Sequence, residues 1–399
     1  MINFNHTSVF TKNIKKLIRQ YTMLAFLLIS PFIVFGQNTF VRKVRSDYFE
    51  DEREISIQLP KNYSQNTEKT YPLILTLDGD YLFDPMAGNV NYFSKWLDIP
   101  ECIVVGIHQK NTRETDCSVD PSSFLPDENG EKFYDFISRE LVSYLENNYR
   151  LAKFKMIVGH DYTGNFINYL IFPKNPIFQA FVNLSSDFTN TEKDIRNTLE
   201  KCQERTWYYM ATSENDNKLL REKALSFHEK LQKIKNPKVS YRFDNFKESS
   251  HYSLVAYGIP KALEDIFSIY RPINKKEYKN VISNLETSAY EYLVNKYKDM
   301  EDLFGIKEPI RVNDFIAIAT HLEKTENWEE LEKLGALAQK TYPEFMLGNY
   351  YLAESYENTD RPKKAMHMYQ SAYILKEISF LTKNFMLDKA QSIKDDFGY

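Results

Sequence analysis

Residues 156–164 read MIVGHDYTG, an apolar run that breaks into Gly-His-Asp-Tyr-Thr-Gly. The order predicts a buried strand, a sharp turn at Asp161 and the start of a helix. Gly159 and Gly164 flank the turn, where strand and helix come too close for side chains. A carboxylate at such a turn has three uses. It can attack an electrophilic carbon and form a covalent ester. It can take a proton from water as a general base. It can also do no chemistry and gain only from the N–H groups and dipole of the helix, about 0.3–1 kcal/mol. Three further groups able to take part, Asp78, Asp216 and His251, each follow a predicted strand.

The elements around these residues follow from apolar patterning. TFVRKVRS and REISIQLP, within 38–65, read as entry strands. The continuous apolar runs in YPLILTLDGD (71–80), ECIVVGI (101–107), FKMIVGH (154–160), FQAFVNLSS (178–186) and TWYYMATSEND (206–216) predict strands buried on both faces. VSYRFDNF (239–246) adds another. Phe133, Phe136, Ile137, Leu141, Tyr144 and Leu145 recur at helical spacing in 131–149, and helices are also expected over 218–234 and after His251. Strand alternating with helix predicts an α/β fold, a mostly parallel sheet in a three-layer α/β/α sandwich. Ligands of such sheets gather at the carboxyl ends of the strands, so Asp78, Asp161, Asp216 and His251 are expected on one rim.

Beyond about residue 275 the strand signals stop. Leu352, Ala353, Tyr356, Ala365, Tyr369 and Ala372 match, 34 residues earlier, Ile318, Ala319, Leu322, Leu331, Gly335 and Ala338, with Pro343 closing the first unit. That period and the small residues at helix crossings resemble tetratricopeptide repeats. The reading divides the chain into a leader (1–37), an α/β domain (38–272), a helical linker (273–310) and an all-α, tetratricopeptide-like region (311–399). Two units are few for independent stability, so the helical region is expected to dock on the sheet domain.

Lys12, Lys15, Lys16 and Arg19 precede the apolar run TMLAFLLISPFIVF (22–35), which ends at Gly36 and Gln37. This is the pattern of a cleaved signal peptide, too short for a spanning helix of about 20 residues. An exported protein, periplasmic or extracellular, is expected, with no membrane segment beyond the leader. The 399-residue chain is 43% hydrophobic and 27% charged with a formal net charge of −4, and its basic residues are dispersed, so no nucleic-acid footprint is present. The 28 Tyr and 28 Phe are read mainly as core filling. Three cysteines (Cys102, Cys117, Cys202) make neither a disulfide framework nor a metal spacing. No cofactor and no metal are expected.

Several segments in order, YPLILTLDGDYLFD, ECIVVGI, RETDCS (113–118), FLPDENGEKFYDFISRELVSYLENNYR, VGHDYTG and ESSHYSLVAYGIPKALEDIF, resemble the secreted putative-esterase family related to esterase D, a branch of the α/β-hydrolase fold. The resemblance spans roughly Tyr48 to Pro272. It implies a nucleophile at position 161, a proton-accepting His251 and an orienting acid, Asp216 or else Glu214. It also implies an oxyanion hole from the backbone N–H of Tyr162 and one near Asp80 or Tyr81. Asp78, Asp80 and His160 are read as bracing residues. The family's elbow residue is serine, and here it is Asp161. A carboxylate attacking an ester gives a mixed anhydride and expels a poor alkoxide, so serine-type esterase activity is expected to be lost or strongly reduced. GHDYTG also resembles the GHDWGG turn of haloalkane dehalogenases and epoxide hydrolases, which implies instead an Asp161 nucleophile or general base. A third expectation is a non-catalytic binding protein acting through residues 311–399. The ligands implied are a small ester or an acylated glycan, peptide or siderophore-like molecule. Ser185 or Ser186 poised against the imidazole would reverse the expectation of inactivity.

Overall fold

A computed structural model describes residues 38–188 and 191–398, so the expected leader lies outside the described residues. Among the described residues eight strands form one sheet: β1 (Thr39–Ser46), β2 (Asp51–Gln58), β3 (Tyr71–Thr76), β4 (Ile103–Ile107), β5 (Leu151–His160), β6 (Ala180–Leu184), β7 (Thr206–Asn215) and β8 (Val239–Ser250). Their order is β1-β2-β4-β3-β5-β6-β7-β8. β2 pairs antiparallel with β1 and β4, and every other pairing is parallel. The apolar runs read as strands are therefore strands, buried on both faces because helices cover both.

The helices are α1 (Gly79–Lys95), α2 (Arg113–Asp116), α3 (Glu128–Asp135), α4 (Val142–Asn148), α5 (Tyr162–Phe166), α6 (Glu192–Lys201), α7 (Lys218–Leu231) and α8 (Leu254–Ile266). They continue as α9 (Lys275–Asn280), α10 (Ala289–Phe304), α11 (Val312–Lys324), α12 (Trp328–Thr341), α13 (Leu347–Glu357), α14 (Pro362–Ser371) and α15 (Lys383–Phe397). Two differences from the sequence reading matter for the site. The run 71–80 is strand only to Thr76; Asp78 turns into the left-handed region at φ 51°, and α1 starts at Gly79. A Cβ on Gly79 would stand 2.6 Å from the Gly106 carbonyl carbon, so this crossing admits only glycine. The expected helix 131–149 is interrupted by a π-helical stretch, Phe136–Leu141, between α3 and α4.

One face of the sheet (Ile74, Met156, Val158, Val182, Tyr209) packs against α1, α8 and α10. The other (Leu73, Leu75, Val105, Ile157, Phe181) packs against Phe133, Phe136, Ile137, Leu145 and Phe227. The first core runs without a break into the C-terminal helices. Phe154 of β5 meets Phe267 and Phe304 at ring-centroid distances of 5.6 and 5.0 Å, and Trp207 of β7 meets Phe304 at 6.1 Å. The 273–310 segment, expected as a helical linker, carries α9 and α10 and buries Leu293, Met300 and Phe304. Apart from half-buried Tyr356 and exposed Pro343, the residues of the 34-residue alignment are buried where helices cross, and a Cβ on Gly335 would stand 2.8 Å from the Leu352 nitrogen. Among the described residues no helix is long and apolar enough to cross a membrane.

Phe304 is the hinge-pin of this shared core. Phe304→Ala is expected to cost about 3–5 kcal/mol. In a guanidinium titration, tryptophan fluorescence and far-UV ellipticity should shift together; two separated transitions would show that sheet and helices unfold apart.

Candidate active site

β5 delivers its last residue, His160, directly into the turn, and Asp161 adopts φ 58°, ψ −117° before α5 begins. Such a conformation is costly for a residue with a Cβ. The Asp161 N–H donates to the Leu184 carbonyl at 3.0 Å, and its own carbonyl accepts from Asn165 at 3.1 Å. A Cβ on Gly159 would stand 2.4 Å from the Thr163 carbonyl oxygen, and one on Gly164 2.0 Å from Ser186 Oγ. Both glycines are thus required for strand and helix to meet at the turn.

The Asp161 carboxylate is partly exposed and faces Arg113, Oδ2 to Nη1 at 3.5 Å. Arg113 is held from three sides. Its Nε donates to Asp78 Oδ1 at 2.7 Å, its Nη2 to the His160 carbonyl at 2.9 Å, and its guanidinium lies 5.6 Å from the Tyr162 ring centre. Asp78 is buried, and Thr163 Oγ1 donates to its Oδ2 at 2.7 Å. Burial raises the Asp161 carboxyl above the ordinary aspartate range, and the charges of Arg113 and His251 offset this only in part.

His251 and Asp216 form the expected pair, with Nδ1 donating to Oδ1 at 2.8 Å. The Asp216 carboxylate also accepts from the Asn217 N–H at 2.8 Å, Ser185 Oγ at 2.6 Å and Thr212 Oγ1 at 3.0 Å. Burial opposes its ionisation, but the hydrogen bonds from His251, Ser185, Asn217 and Thr212 win, and its carboxyl titrates below the usual range. Glu214, the alternative acid, points to solvent. His251 Nε2 has no hydrogen-bond partner among the described residues, and no His251 nitrogen comes within ion-pair distance of an Asp161 oxygen.

Ser185 does touch the imidazole, with Oγ 3.0 Å from Nδ1. That nitrogen already serves Asp216, and the serine is 1% exposed with its hydroxyl given to the same carboxylate. It positions the pair and is closed to substrate. Ser186 is fully buried, with no partner for its Oγ among the described residues.

His160 packs its ring 4.5 Å from that of His251 and donates from Nε2 to the His251 carbonyl at 3.1 Å. Its Nδ1 lies 2.9 Å from the Tyr81 hydroxyl. Burial, reinforced by the nearby His251, lowers the His160 pKa to about 4, so this ring is a neutral brace. Asp80 accepts the Gln109 N–H at 2.7 Å and lies 3.4 Å from His108, a loop brace as expected. The Tyr162 N–H, first in α5, has no acceptor among the described residues. Tyr81 departs from the expectation. Its N–H donates to the Asp78 carbonyl at 3.0 Å and closes the first turn of α1, so it cannot face an oxyanion. Arg113, Thr212 and Tyr252 were not singled out by the sequence reading, although each lies in a quoted segment: Arg113 opens RETDCS, Thr212 is within TWYYMATSEND and Tyr252 follows His251 in ESSHYSLVAYG.

Residues 46–231 match the family described as Putative esterase. A crystal structure of an uncharacterised protein from Capnocytophaga ochracea is 30% identical with a TM-score of 0.80, and the match covers 90% of this chain and 99% of that one. The chain belongs to the putative esterase family. In this esterase-family chain the match to the Capnocytophaga protein extends well past the sheet into the helical region. An IroE-like serine hydrolase from Shewanella oneidensis shares the fold at 20% identity and a TM-score of 0.56, over 76% of this chain and 99% of that one. The BES protein from Bacillus cereus does so at 21% and 0.50, over 60% and 98%. No curated protein matches this esterase-family chain.

The raised Asp161 carboxyl has a signed consequence. The folded chain holds this proton more tightly than the unfolded chain, whose aspartate titrates near pH 3.9. Ionisation therefore costs stability above the folded value and nothing well below the unfolded one. Asp161→Asn should raise Tm near neutral pH, and the gain should shrink as pH falls towards about 4. Matched thermal melts of the two proteins read this directly; a gain that does not vary with pH would assign it to something other than the buried charge.

Proposed function

We propose that this exported member of the esterase family keeps the framework of an acyl-transfer site but has lost, or strongly reduced, serine-type esterase activity. One observation carries the reading: the elbow carboxylate pairs with Arg113 at 3.5 Å and not with His251. A nucleophile activated by the His251–Asp216 pair needs a transferable proton and contact with Nε2. Asp161 makes no contact with that nitrogen, and the alkoxide of an ester is a poor leaving group against a carboxylate. What remains is a site able to hold a small ester or acylated glycan or peptide, with the exposed rings of Tyr162 and Tyr252 beside it. Export rests on the basic and apolar segments of residues 12–35.

A second reading has specific support. His251 is oriented by Asp216 at 2.8 Å and its Nε2 is unengaged among the described residues, the arrangement of a general base for water. Slow hydrolysis by water, independent of any covalent intermediate, fits that geometry.

The two readings separate on p-nitrophenyl butyrate. The first expects wild-type turnover near background, a rise in kcat/KM of about 100-fold or more in Asp161→Ser, and loss of that gain when His251→Ala is added. Wild-type hydrolysis clearly above background that falls with His251→Ala sinks the first reading and supports the second.

A further inference from the structure

The region beyond α10 carries a charged cluster with no place in the chemistry at the elbow. Glu354 and Glu357 stand one turn apart on α13. Tyr369 of α14, wholly buried, sets its hydroxyl between them, 2.8 Å from Glu354 Oε1 and 2.9 Å from Glu357 Oε2, with one proton for the two acceptors. Lys389 of α15 reaches the same two carboxylates at 2.9 and 3.1 Å, with Nζ 5.6 Å from the Tyr369 ring centre. The fold thus already seats one cation between carboxylates and a tyrosine face.

A third carboxylate adjoins this group and has no cation. Glu323, near the end of α11, is half-buried and makes no ion pair or side-chain hydrogen bond among the described residues. Burial and the charge of Glu354 both raise its carboxyl above the usual range. Beside it Tyr351 is 1% exposed, and its hydroxyl has no partner among the described residues although the Glu323 charge acts on it. Three carboxylates against Lys389 leave an excess of two negative charges. A half-buried carboxylate without a cation and a buried hydroxyl without a partner are each costly, and native structures normally satisfy both.

The border of the cluster is apolar and open. Tyr350 meets Phe380 and Phe385 at ring-centroid distances of 5.6 and 6.0 Å, and these two are 51% and 36% exposed. Among the described residues no acidic group forms a metal-holding set, so the geometry favours an organic cation over a metal ion.

We propose that this face of α11, α13 and α15 is a docking surface for a partner polypeptide that presents a guanidinium or ammonium side chain to Glu323 and Glu354 and an apolar side chain to Phe380 and Phe385. Charge complementarity selects the cation. The exposed phenylalanines select a segment in which basic and apolar residues alternate, which excludes a simple polycation. None of these residues belongs to the elbow site.

The test uses the full chain and a fluorescein-labelled, end-blocked peptide alternating arginine with leucine, read by fluorescence anisotropy against the matching glutamate–leucine peptide. The arginine peptide is expected to bind and the glutamate peptide not. Glu323→Gln removes a carboxylate with no intramolecular partner, so the fold should persist while affinity drops about tenfold, the loss of one charge-assisted contact. Glu329→Gln, at a carboxylate 84% exposed and paired with Lys333, should leave affinity unchanged. Phe380→Ser should weaken binding independently of charge. Failure of the arginine peptide to bind, equal losses from Glu323→Gln and Glu329→Gln, or no loss from Glu323→Gln would each overturn the proposal. So would light scattering that shows a dimer dissolved by Glu323→Gln, which would assign the face to a second copy of this chain.

Discussion

A residue with a side chain is held at φ 58°, ψ −117° between a central strand and a helix, and most of the site is arranged to keep it there. Left alone, such a conformation costs of the order of 1–3 kcal/mol. Three features offset it. Parallel pairing on both sides of β5 fixes the strand end, the Leu184 carbonyl captures the Asp161 N–H, and two glycines let the helix start against the strand. The result is a side chain aimed at the rim whatever its chemistry. This is why aspartate can occupy the position without remodelling the fold, and why fold and activity must be argued separately.

The charge of Asp161 is answered from below by a chain of buried polar groups. Arg53 pairs with Asp116, whose Oδ2 accepts from Thr112 and Gln109. Gln109 in turn accepts the Asp78 N–H at 3.0 Å, and Asp78 holds Arg113 beneath the elbow. Each link is hydrogen-bonded on more than one side, which is what makes charge tolerable in a low-dielectric interior. Arg113 therefore cannot swing away to leave the elbow carboxylate unpaired without breaking its bonds to Asp78 and the His160 carbonyl.

The strands were legible because each buried run is short, continuous and apolar, as strands covered on both faces must be. His251 and Asp216 were legible as members of a rim, since both follow strand ends. Three things were not. α1 is hidden behind an apolar strand, a left-handed Asp78 and an internal Pro85, each of which argues against a helix locally. The π-helical stretch is masked because Phe133, Ile137, Leu141 and Leu145 recur every four residues, close enough to 3.6 to read as an ordinary helix. A wider turn brings that spacing onto one face, and all four are fully buried. The Arg113–Asp161 pair joins residues 48 positions apart with helices and a strand between them, and no periodicity links the two, so only coordinates reveal it.

The aromatic cluster of Phe154, Trp207, Phe267 and Phe304 ties two ends of the molecule to one lever. Phe154 sits on the strand whose last residue adjoins Asp161. A pull on the C-terminal helices is thus borne by the same strand that presents the elbow, and close-packed rings transmit displacement instead of absorbing it.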